Sequence, residues 1–151
     1  MTVEFECRTP LEMSLDEAFE RSLDIDLHAA SMARSHERAV RGVTSGRIGL
    51  GEEVTWRAWH FGVPFTMTSR ITELEAPHWF VDEQVRGPFR AFRHEHAFIP
   101  EAGGDGTIMI DHVVFDAPLG AIGRLSEGAI GPYLLRLIQR RNAFLRDASQ
   151  R

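Results

Sequence analysis

Cysteine is nearly missing from this chain, lysine is missing altogether, and no apolar run is long. Each shortage removes a class of function. One thiol, Cys7, in 151 residues leaves no internal disulfide and no CxxC pair for zinc, so a reducing, cytoplasmic setting is expected. No apolar run approaches the roughly 20 residues that span a bilayer. The opening MTVEFECRTP has no basic stretch leading into an apolar one, so neither a signal peptide nor membrane insertion is expected. Positive charge is in deficit, with 17 Lys+Arg against 22 Asp+Glu and a formal net charge of −5. A phosphate-binding surface needs a basic face, so no nucleic-acid partner is expected, although the arginines leave room for local patches. Gly46, Gly49 and Gly51 have the wrong spacing for a dinucleotide loop and lead into a strand-like segment. Ser69 has no G-x-S-x-G context.

What is present suits a globular protein. Hydrophobic residues make up 43% and charged residues 26%, ordinary values. The length predicts one domain, 1–151, able to bury a real core. Val3, Phe5 and Cys7 alternate with charged residues, the period of a half-buried strand, and Pro10 ends it. Ser14 and Glu17 form a capping box that opens a helix with Leu15, Ala18 and Phe19 on its apolar side. A second short helix is predicted over about Asp24–Met32, and a weak strand over Glu37–Val43.

Glu52–Phe61 and Pro64–Leu74 read as a hairpin, with Gly62 taking a II′-type position. Setting His60 opposite Phe65 puts Val54, Trp56, Ala58, His60, Phe65, Met67, Ser69 and Ile71 on one face. A one-residue slip would mix the faces. In the next hairpin, setting Val85 opposite Arg90 puts Trp79, Val81, Glu83, Val85, Phe92, His94, His96 and Phe98 together. Asp82 then falls on the opposite face. For Thr107–Phe115 the inward set is either Met109, Asp111, Val113 and Phe115 or the intervening Ile108, Ile110, His112 and Val114. Beyond Pro118 the apolar spacing becomes helical. It predicts a helix from about Pro132 to Ala148, preceded by a short helix or irregular turn near Gly120–Glu127, with Pro132 in the first turn. The predicted class is α+β: strand, two short helices, about six strands, long helix.

The stretches VTWRAWHFG (Val54–Gly62), FVDEQVRGPFRAFRHEHAF (Phe80–Phe98), GTIMIDHVVFDAPLG (Gly106–Gly120) and RLIQRRNAFL (Arg136–Leu145) are similar to the SRPBCC, or START-like, superfamily. They resemble most its bacterial polyketide cyclase/dehydrase-like branch of ligand-binding proteins. The resemblance covers nearly the whole chain. It implies a helix-grip fold, in which a curved antiparallel sheet of about seven strands wraps a long C-terminal helix. It further implies an apolar pocket between the two and no obligatory cofactor, and it favours Asp111 pointing toward the histidines. The fold hosts carriers, cyclases, hydrolases and regulators alike, so it names no reaction.

The chemistry-bearing residues have several readings. His94 and His96 are two apart on a strand and share a face. With Glu83 or Asp111 they have the residue types of a metal site. The plainer alternative is a pair of pocket histidines bonded to a carboxylate, and no metal is expected. His94, His96 and Glu101 also form HxHxxxxE, half of a cupin metal motif. Against a cupin-like metal enzyme, Gly87 is out of place, the second motif is absent and the terminal helix does not fit a small barrel. A His–Asp pair could instead do the acid–base work of a cyclase or dehydratase, with His94 or His96 as base and Asp111 as its orienter. The plainer reading is a buried hydrogen bond.

The first expectation is a module for a hydrophobic small molecule of polyketide, lipid or aromatic type. Trp56, His60, Phe65, Met67, Trp79, Glu83, Phe92, Phe98, Met109 and Tyr133 are its candidate binding residues. His94, His96 and Asp111 are the candidate catalytic set of the enzyme alternative. Cys7, without a local signature, reads as a small core residue. A homodimer is compatible with the sequence and not demanded by it.

Overall fold

The computed structural model describes residues 2–117 and 121–148, with the backbone alone over 121–127. Strand β1 (Thr2–Leu11) is followed by helices α1 (Leu15–Ser22) and α2 (Ile25–Ser31) and a 3-10 turn at Ala33–Ser35. Strands β2 (Arg38–Gly42), β3 (Glu53–His60), β4 (Val63–Glu75), β5 (Trp79–Arg86), β6 (Ala91–Pro100) and β7 (Thr107–Asp116) come next, and helix α3 (Ala121–Ala148) ends the described chain. All seven strands join one antiparallel sheet in the order β1-β7-β6-β5-β4-β3-β2. The sheet curves against α3, the expected α+β arrangement.

Local chemistry explains the helix starts. The Ser14 hydroxyl accepts the Glu17 amide N–H at 3.2 Å, and the Asp24 carboxylate accepts the Leu27 N–H at 3.0 Å. Each satisfies an amide that has no partner inside its helix. The Glu17 carboxylate pairs with Arg21 one turn on, at 2.8 Å. Phe19, on the inner side of α1, is fully buried.

The long helix is longer than its sequence pattern suggests. The segment expected as a separate short element is part of α3 from Ala121 onward, and Pro132 lies inside the helix; Gly120 lies outside the described residues. An interior proline costs a helix about 3 kcal/mol through its missing N–H. The apolar stripe continues through the break at Ile130, Tyr133 and Leu134, which face the interior of the molecule, and burial of such a stripe outweighs one lost bond.

Two hairpin registers differ from expectation, with opposite consequences. In β3–β4, Ala58 opposes Phe65 and His60 opposes Val63. The turn is Phe61–Gly62 with φ of 55° and 73°, positive at both central positions as in a type I′ turn, not the II′ geometry expected. The shift is two residues, so every side chain keeps its predicted face. In β5–β6, Phe80 opposes His96, Asp82 opposes His94 and Glu83 opposes Arg93. That is a one-residue slip from the expected pairing, and it turns over all of β5. The cause is at the loop. The Gln84 side-chain amide donates to the Phe89 carbonyl at 2.8 Å and accepts the Phe89 N–H at 3.2 Å. Side-chain bonds thus replace ladder bonds, and the pairing stops at Glu83. In β7 the inward set is Met109, Asp111, Val113 and Phe115, all essentially inaccessible.

Candidate functional site

Between the sheet and helices α2 and α3 lies a cavity of about 630 Å³. Strands β3 and β4 give it Val54, Trp56, Ala58, His60, Phe65, Met67, Ser69 and Ile71. Helix α3 gives Ile130, Tyr133, Leu134, Leu137 and Ile138, and β6 gives Phe92. These surfaces are mostly apolar, and the volume falls within the roughly 300–1,000 Å³ usual for small-molecule sites.

One part of the wall is polar and crowded. The His94 ring stacks on His96 with centroids 3.7 Å apart, and His96 stacks on Phe80 at 4.2 Å. Behind them Asp111 is fully buried. Its Oδ1 accepts from His94 Nε2 at 2.7 Å and from Arg141 Nη2 at 2.6 Å. Its Oδ2 accepts from Asn142 Nδ2 at 2.7 Å, and the same Nδ2 donates to Thr9 Oγ1 at 3.0 Å. Two adjacent residues of α3 therefore clamp one carboxylate of β7. Burial alone would raise the Asp111 carboxyl, but the Arg141 charge and the hydrogen bond from His94 outweigh it. The group stays far below the usual carboxylate range, ionised at any physiological pH.

His96 has a different partner. Its Nε2 bonds Asp82 Oδ2 at 2.7 Å, while its Nδ1 is buried with no hydrogen-bond partner among the described residues. Burial and the nearby His94 charge push its pKa down to about 4, so the ring is neutral at pH 7. Asp82 keeps 21% of its side chain exposed. Burial works to raise its carboxyl, but the His96 hydrogen bond and the neighbouring imidazoles hold it below the usual value.

Two further polar pairs line the cavity. The Tyr133 hydroxyl and His60 Nδ1 share a hydrogen bond of 2.6 Å; burial lowers the His60 pKa and raises that of Tyr133, which keeps both neutral. His28 bonds Glu37 at 2.7 Å and lies against the Trp56 ring at 4.5 Å.

No protein-family model and no curated protein matches this chain. Solved structures do. TTHA0849 from Thermus thermophilus superposes with a TM-score of 0.81 at 13% identity, covering 98% of this chain and 97% of that one. The Zhui aromatase/cyclase from a Streptomyces strain gives 0.80 at 13% identity, covering 100% and 95%. A START superfamily protein from Mycobacterium smegmatis gives 0.72 at 11%, covering 96% and 98%. The fold is the helix-grip of START-like proteins. At such identities the likeness concerns the fold alone.

Within that helix-grip the expected residues separate into three groups. Trp56, His60, Phe65, Met67, Phe92, His94, His96 and Tyr133 line the cavity. Asp111 stands one layer behind, in contact with the histidines and α3. Four others lie elsewhere. Phe98 and Met109 are fully buried core, Phe98 under Phe19 and Met109 beside Ser22. Glu83 and Trp79 are on the opposite face because of the one-residue slip. There Glu83 sits 3.5 Å from Arg93, which also binds Glu73 and Glu95, and the Trp79 indole donates to Glu75 at 3.2 Å.

The expected convergence of Glu83 with the histidines is thus corrected to Asp82. Glu101, the third position of the cupin-like spacing, is exposed at the end of β6, in the turn whose backbone bonds Gly106. Cys7 is half-buried opposite Asp111, and burial pushes its thiol up, away from a nucleophile's range.

Sequence reasoning missed Asp82, Arg141, Asn142 and the His28–Glu37 pair. Arg141 did carry a signal. It follows Leu134, Leu137 and Ile138 on one stripe of α3, where an arginine among apolar neighbours needs a buried partner.

Proposed function

We propose that this protein binds a hydrophobic small molecule, of polyketide, lipid or aromatic type, in the cavity between the sheet and α3. The observation that carries this reading is the 630 Å³ cavity itself, apolar over most of its wall and polar in one restricted cluster. An apolar wall left facing open space gains free energy, about 25 cal/mol per Å², when a ligand removes it from water. The His94–His96–Asp82 cluster would orient one polar group of that ligand, and His60 with Tyr133 would contact its other end.

An apolar, environment-sensitive dye tests the proposal. Wild-type protein should bind it, and a folded Phe92→Glu variant should not. Unchanged dye binding by that variant would overturn the reading.

A second reading, a cyclase/dehydratase-type enzyme, has its own observation. His94 stands at the cavity wall with its Nε2 donating to an ionised, doubly clamped Asp111, the arrangement that orients a general base. It also resembles an aromatase/cyclase in fold. It expects activity on a cyclisable substrate to be lost in His94→Ala and in Asp111→Asn while dye binding persists. Full activity in either variant would exclude it.

A further inference from the structure

We propose that Asp82, His94 and His96 form a binding site for a divalent transition-metal ion, such as zinc, at the polar part of the cavity wall. This goes beyond hydrophobic ligand binding and does not depend on it. One ligand atom from each of the three residues lies within 4.8 Å of the others. His94 and His96 project from one face of β6, and Asp82 comes from the position of β5 directly opposite His94. Two imidazoles and one carboxylate are a ligand set that zinc and iron accept. All three line the cavity, so the remaining coordination positions would face it, open to an oxygen of a ligand.

The hydrogen-bond geometry argues beside the residue types. His94 donates from Nε2 to the ionised Asp111. Its other ring nitrogen, Nδ1, faces Asp82 Oδ2 at 4.0 Å, too far for a hydrogen bond. That gap between ring nitrogen and carboxylate is open. His96 donates from Nε2 to Asp82, which leaves its Nδ1 bare, buried and unpartnered among the described residues, 3.5 Å from Asp111 Oδ1. Here an acceptor faces a carboxylate.

A single cation would fill the gap and relieve the His96 contact. Placed among His94 Nδ1, His96 Nε2 and Asp82, it fills that gap. It also moves the His96 proton to Nδ1, where the nearest acceptor is Asp111. Both imidazoles would then be backed by one carboxylate, the usual outer support of a metal-bound histidine. Asp111 can serve both rings because Arg141 and Asn142 hold it in place. The rings now lie stacked, 22° from parallel. A cation lies in the plane of each imidazole it binds, so loading splays the stack.

Chelator-stripped wild-type protein titrated calorimetrically with zinc alone should bind one equivalent per chain. Asp111→Asn should weaken binding by about tenfold to hundredfold, and Asp82→Asn at least as much. Glu83→Gln, on the opposite face of the same strand, should leave it unchanged. X-ray absorption of zinc-loaded wild-type protein needs no variant to fold and should count two imidazole ligands. No zinc binding, wild-type affinity in folded Asp82→Asn, or fewer than two imidazoles would each overturn the site. The apolar dye measured in parallel separates the two proposals: dye binding without zinc binding removes the metal site and leaves the ligand cavity standing.

Discussion

Two regions lie against the same inner sheet face, and they are built from similar residues. Under α1, Phe19 inserts edge-on between Phe80 and Phe98, with centroids 5.7 and 5.5 Å away, and Leu23 and Met109 join the same core. Under α3, Trp56, Phe65, Met67 and Phe92 stand on the strands in the same way, yet face 630 Å³ of space. Aromatic content does not separate the two. The opposing element does: α1 brings a phenylalanine into the gap, and α3 stands off. An apolar face met by side chains is core, and the same face left unmet is a binding wall.

The largest expected effect tests that contrast directly. Phe98→Ala should destabilise the protein by about 3–5 kcal/mol, the cost of emptying a filled core position, read by denaturant unfolding. Phe65→Ala should cost about 1 kcal/mol or less, because its neighbouring space is already open, and should instead weaken dye binding. Equal stability losses would break the comparison.

Asp111→Asn comes next. It leaves the buried Arg141 without its counter-charge, a loss of about 3 kcal/mol by analogy with other broken buried pairs, seen as a lower melting temperature. Acid should then act on the cavity wall in metal-free protein. The folded value of His96, about 4, lies below its ordinary 6.5. The folded state therefore resists protonation that the unfolded chain accepts. Its stabilisation is complete above about pH 6.5 and is lost progressively as pH falls toward 4, by a few kcal/mol. His96→Gln should flatten that slope in a stability–pH series; an unchanged slope would place the titration elsewhere. The smallest effect belongs to Glu83→Gln. It removes one arm of an exposed Arg93 network, and stability should change by no more than about 0.5 kcal/mol.

How far the site was legible follows from register. All eight cavity residues of β3 and β4 were grouped correctly, because the actual pairing differs from the expected one by two residues and even shifts preserve faces. In β5 the shift is one, so Glu83 and Trp79 exchanged places with Asp82 and Phe80. No periodicity could have warned of it, since both faces of β5 carry aromatic and acidic residues. The decisive contact, Gln84 with the Phe89 backbone, is a side-chain capture of a loop that alternation does not encode. For β7 two inward sets stood equal by pattern, and the structure buries the set containing Asp111.

The sequence by itself determined the order of strands and helices and an apolar inner face, because period and caps are local properties of neighbouring residues, while the helix-grip architecture was implied by the resemblance to START-like proteins. Only the tertiary structure decided which carboxylate meets the histidines, that Arg141 and Asn142 clamp Asp111, and that Phe98 and Met109 are core while Phe65 and Met67 are wall. Those outcomes depend on strand register and on how far a helix stands from the sheet, and both are set by contacts between residues distant in the chain.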